Sequence, residues 1–145
     1  MPTLTVYVGL PGSGKSWHAG RFAAEQGIDN IEDVFHPRQK DPEKTIAELL
    51  SQGDCVIDST ALIHPTARAR FQRELEKLVP DVLFRWEFMK NEPTVCIKNI
   101  IHDFEKGDRD DWMERIQAVL KTTAQYKGFD EGDAISVHRA YEPQE

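Results

Sequence analysis

The run Gly9-Leu10-Pro11-Gly12-Ser13-Gly14-Lys15-Ser16 matches the spacing G-x-x-x-x-G-K-[ST] at every position. Glycines so placed let successive backbone N–H groups turn inward around a phosphate, and a helix beginning near Gly14 adds the positive end of its dipole. Lys15 can then neutralise β- and γ-phosphate oxygens, while the Ser16 hydroxyl can ligate Mg²⁺. The expected nucleotide contacts are therefore Gly9, Pro11, Gly12, Ser13, Gly14, Lys15 and Ser16.

Moving a phosphoryl group needs more than a cradle. Asp58 follows the apolar run Cys55-Val56-Ile57, and a carboxylate at a strand's C-terminal tip can hold a Mg²⁺-bound water or orient the phosphate; it can equally cap the turn through Ser59 or Thr60. A hydroxyl acceptor calls for a general base, and Asp33 is the choice, with Glu32 beside it as the alternative. His36 and Arg38 follow in the same polar loop, where they could contact a substrate phosphate. A cation arriving over the γ-phosphate would offset transition-state charge. Its candidates are Lys98, His102, Lys106 and Arg109, of which Arg109, in a Gly-containing turn, is preferred.

These residues need positioning elements. Leu4 to Val8 alternates β-branched and aromatic types and reads as a buried strand leading into the glycine loop. Trp17, Ala19, Phe22 and Ala23 have helical spacing over Lys15 to Gln26, with Gly27 as the stop. Ile28 to Asp33 is a second strand, and Asp41-Pro42 starts a helix running to about Gln52. A third strand holds Cys55 to Ile57, a helix spans Pro65 to Leu78, and a fourth strand spans Val82 to Met89. Helices over Pro93 to Lys106 and Asp110 to Lys127 follow, then a fifth strand over Ala134 to His138 and a frayed end from Glu142 to Glu145. This alternation predicts an α/β sandwich with a mostly parallel sheet. Trp17, Trp86 and Trp112 fall in periodic elements and are expected in the core.

Composition narrows the class. The 145 residues, 39% hydrophobic and 30% charged, suit one domain spanning the whole chain, 1–145. No apolar run approaches the roughly 20 residues needed to span a bilayer, and no basic leader precedes the first strand, so the expectation is a cytoplasmic protein with no membrane partner. Cys55 and Cys96 lack His or Cys neighbours at metal spacing and read as buried free thiols. A net charge of −7 argues against coating nucleic acid through a broad basic face, without excluding a small local site.

The sequence resembles the polynucleotide-kinase-like branch of the P-loop kinases over roughly Leu4 to Tyr126. The likeness is strong in the glycine loop and in Val56-Ile57-Asp58-Ser59-Thr60, followed by Pro65 and a helix bearing Arg68 and Arg70, which is similar to the family's hydrophobic-D-x-T-N element and the helix after it. Ala61 stands where the family usually has Asn, and His102 aligns with its usual lid Arg. The resemblance implies a three-layer P-loop NTPase fold with a five-stranded parallel sheet in the order 2-3-1-4-5. It also implies ATP and Mg²⁺ as cofactors, Asp33 as base, Ser16 and Asp58 at the metal, and Arg68 with Arg38 and His36 at the substrate. The acceptor it favours is a hydroxyl of DNA or a nucleotide, at a 5′ end or on a hydroxymethylated pyrimidine. A small-molecule kinase acting on a nucleoside, sugar or antibiotic is the alternative, and a partner-stimulated regulatory NTPase is a third reading.

Overall fold

The computed structural model describes residues 1–32, 34–35 and 40–142. Strand β1 (Thr3–Val8) leads through the glycine loop into α1 (Lys15–Gln26), and β2 (Asp29–Ile31) follows. Next come α2 (Pro42–Leu50), β3 (Cys55–Ser59), α3 (Pro65–Leu78) and β4 (Leu83–Phe88). Helices α4 (Pro93–Glu105) and α5 (Trp112–Thr122) and a short 3₁₀ turn (Thr123–Gln125) complete the elements. All strand pairings are parallel, in the order β2-β3-β1-β4.

Burial explains that order. Both β1 and β3 are covered on two faces, so their sequences are nearly continuous apolar runs, as central parallel strands require. Leu4, Val6, Val8, Cys55 and Ile57 point into one cluster with Ile46, Phe71, Leu75, Cys96 and Ile100, while Tyr7 and Val56 point into another with Ala19 and Ala23 of α1. Helices therefore cover both faces of the sheet. Helix starts follow local chemistry: the Asp41 carboxylate accepts from Lys44 N at 3.1 Å, and Pro42, Pro65 and Pro93 stand in first turns where no N–H is missed.

Three expectations are corrected here. Among the described residues the sheet has four strands, not five in the order 2-3-1-4-5: the segment expected as a fifth strand makes one isolated parallel bridge, Met89 to Ile135. Ile135 N donates to Phe88 O, and Ile135 O accepts from Lys90 N, each at 2.8 Å. Beyond that point the His138 carbonyl and the Ala140 N–H turn to the side chain of Asn99, which withdraws them from any ladder. Helix α5 also ends at Thr122 rather than Lys127, and there the Asn91 amide donates to Thr123 O at 2.8 Å and Tyr126 O at 3.2 Å. Trp17 is 61% exposed, so it lies outside the core.

Candidate active site

The C-terminal tips of β1 and β3 set the centre of the site. Gly9 N bonds Ser59 O across the two tips at 3.4 Å, Ser13 N closes a turn on Leu10 O at 3.1 Å, and Gly14 opens α1 in the left-handed region with φ 84°. No side chain caps α1, so the N–H groups of its first turn remain available to an anion. Pro11, Gly12, Gly14, Lys15 and Ser16 line a cleft of about 1330 Å³, and Ser13 is buried beneath the loop.

Ser16 Oγ donates to Asp58 Oδ1 at 3.0 Å, joining the loop to the third strand. One hydroxyl beside one carboxylate is a hard-oxygen donor pair, which fits Mg²⁺ once phosphate oxygens and water complete its shell. No cluster of three or more His, Cys, Asp or Glu side chains suited to a metal occurs among the described residues. Burial lowers the Lys15 pKa to about 8, opposed by Asp58 and assisted by Arg115 and Arg109. Burial likewise pushes the Cys96 thiol up to about 12 and the Cys55 thiol up to about 11, and both cysteines are free.

A second, smaller recess of about 260 Å³ meets the cleft at Lys15 and is lined by Val34, Phe35, Asp58, Ser59, Thr60 and Ala61. Lys15 and Thr60 belong to both hollows. Two compartments sharing the Lys15 ammonium, with the Asp58 carboxylate lining the smaller one, can place a phosphoryl donor and an acceptor face to face.

The cations sort clearly. Of the four lid candidates only Arg109 lines the cleft, with its guanidinium held by Asp111 through Nε–Oδ1 at 3.0 Å and Nη2–Oδ2 at 2.6 Å. Lys98 instead lies 5.3 Å from the centroid of the Tyr141 ring. Arg115, absent from the sequence candidates, lines the same cleft with a side chain 15% exposed and a long 3.4 Å contact to Asp103. Its signal was readable: Trp112, Arg115, Ile116 and Val119 share one helical face, and a cation among apolar positions is out of place.

Arg68 is a correction. Expected at the substrate, it is 7% exposed and donates to Leu62 O and Ile63 O at 3.0 and 2.7 Å and to Lys127 O and Gly128 O at 2.5 and 3.3 Å. Its guanidinium also sits 5.0 Å from the centroid of the Phe88 ring. Four carbonyls and one ring hold it as a strut between α3 and the segment after α5. Asp33, His36 and Arg38 lie outside the described residues.

No protein-family profile and no curated protein matches the sequence. Solved structures do. A kinase candidate from Chloroflexus aurantiacus J-10-fl is 15% identical over 81% of this chain and 74% of its own, with a TM-score of 0.63. A gluconokinase from Sinorhizobium meliloti 1021 is 18% identical over 98% of this chain and 84% of its own, with a TM-score of 0.59. The protein APE1195 is 18% identical over 94% and 85%, with a TM-score of 0.55. At these identities the likeness shows the fold: an α/β structure with a parallel sheet.

Proposed function

We propose that the protein is an ATP-dependent kinase that transfers a γ-phosphoryl group to a hydroxyl. The observation that carries this reading is the meeting of two recesses at Lys15, beside the Ser16–Asp58 pair. The loop N–H groups and Lys15 would hold the β- and γ-phosphates, and Ser16 and Asp58 would hold a magnesium ion, which would supply charge neutralisation when bound. Arg115 and Arg109 face the same cleft and offset charge as it spreads over the γ-oxygens. The acceptor oxygen forms a bond to the γ-phosphorus while the bond to the β–γ bridging oxygen breaks, so ADP leaves with that electron pair. The acceptor proton passes to Asp33, two residues beyond β2 in sequence.

The favoured acceptor is a nucleic-acid or nucleotide hydroxyl, either a 5′ end or a hydroxymethylated pyrimidine in DNA. Supporting it is the β3 tip element through Thr60, which lines the acceptor recess. A second reading, a small polyol or nucleoside as acceptor, is favoured by the withdrawal of Arg68 into backbone contacts, which removes one cation from any strand-tracking surface. Labelled γ-phosphate from ATP should appear on 5′-hydroxyl or hydroxymethylated DNA and vanish in Asp33→Ala. Labelling of gluconate or a nucleoside alone would establish the second reading, and no acceptor labelling across the panel would refute a kinase.

A further inference from the structure

Asn99 on α4 is 6% exposed, yet it lines the cleft. Its Nδ2 donates to Gly12 O in the phosphate loop at 3.0 Å and to His138 O at 2.7 Å, and its Oδ1 accepts from Ala140 N at 2.8 Å. One amide thus joins three separate parts of the cleft: the loop, the helix and the 136–140 segment. A side-chain amide carries two N–H donors and one carbonyl, and here each donor and the acceptor is engaged. Plain packing would not call for this, because an apolar residue of similar size fills the space while taking a partner from Gly12 O and leaving His138 O and Ala140 N only their 3.2 Å bond to each other. The phosphate loop and Ser136 to Ala140 both line the cleft, so a ligand touching both feels the spacing that Asn99 imposes.

We propose that Asn99 is a positioning residue that presets the 136–140 wall against the phosphate loop for one ligand spanning both, a nucleoside triphosphate. This rests on the cleft being the nucleotide site. Inorganic tripolyphosphate reaches the loop but carries nothing to meet the wall, so it separates spacing from loop shape. Calorimetric titration of both ligands with magnesium would compare the natural protein with Asn99→Leu and Asn99→Asp. Asn99→Leu should weaken ATP about tenfold or more and tripolyphosphate by less than about threefold. Asn99→Asp keeps the acceptor for Ala140 N but sets a carboxylate against Gly12 O and His138 O, so it should show the same split in a near-isosteric fold. It carries the test if the leucine variant does not fold. Equal loss of both ligands, or no loss of ATP, would overturn the proposal. So would a natural protein that binds ATP no tighter than tripolyphosphate, leaving the phosphate loop reading intact. Binding of neither ligand by the natural protein would instead defeat the nucleotide site itself.

Discussion

At the scale of the residue, Lys15 gives the sharpest expectation. Its free-state pKa is lowered to about 8 by burial, and a triphosphate beside it must raise that value by favouring the ammonium. Below about pH 8 the proton is already in place, so ATP affinity should be flat; above it, binding takes up a proton and affinity falls as pH rises. Calorimetry in buffers of different ionisation enthalpy should show uptake approaching one proton at about pH 9 and little at about pH 7. Lys15→Met should abolish the difference along with most of the affinity. The Ser16–Asp58 pair predicts a separate signature. Asp58→Asn should raise the magnesium needed for half-maximal turnover while leaving magnesium-free tripolyphosphate binding nearly unchanged, as read by titration with and without the ion.

At the scale of the element, Gly12 and Gly14 differ in what they protect. A Cβ on Gly12 would lie 2.6 Å from the Cys96 carbonyl of α4, whereas one on Gly14 meets nothing within 4 Å. Both have positive φ, so alanine at either pays the left-handed penalty of about 1 kcal/mol. Gly12→Ala must also displace α4, and should lose ATP binding far more than Gly14→Ala in a direct titration. Arg68 predicts the reverse pattern. Arg68→Ala strands several carbonyls, should cost on the order of 3 kcal/mol, and at this chain length lowers Tm by roughly 3 °C for each kcal/mol. The acceptor KM of the folded fraction should not move; a selective rise would restore Arg68 to the substrate site. Such contrasts mark what a linear reading can see. The glycine loop, the proline-started helices and the buried strands follow from spacing and burial within a dozen neighbouring residues. Arg68 and Asn99 do not, because Lys127 and Gly128 lie 59 and 60 positions from Arg68, and His138, Ala140 and Gly12 lie 39, 41 and 87 positions from Asn99. The fifth strand was misread for the same reason: Ile135 and Val137 alternate properly, but capture of His138 and Ala140 by a distant amide is invisible locally.

At the scale of the whole molecule, charge bounds how an extended acceptor can be held. With 25 Asp and Glu against 18 Lys and Arg, and with Arg68 withdrawn, the chain has no excess of positive charge to displace counterions along a strand. If DNA is the acceptor, the plot of log affinity against log salt should be no steeper than about −3, and a slope near −6 or beyond would reveal a tracking surface not seen here. No helix among the described residues is long and apolar enough to cross a membrane. The way the chain ends its sheet has another consequence. Past the Met89–Ile135 bridge, residues 136–140 are fastened by Asn99 to α4 and the glycine loop rather than by a ladder to β4. A ladder opens with the sheet, but a clasp of a few bonds opens alone, at a free energy well below global unfolding. Amide deuteration of that segment should therefore run ahead of β1 and β3 by orders of magnitude and slow sharply when ATP is present, making this stretch a label-free clock for occupancy of the cleft.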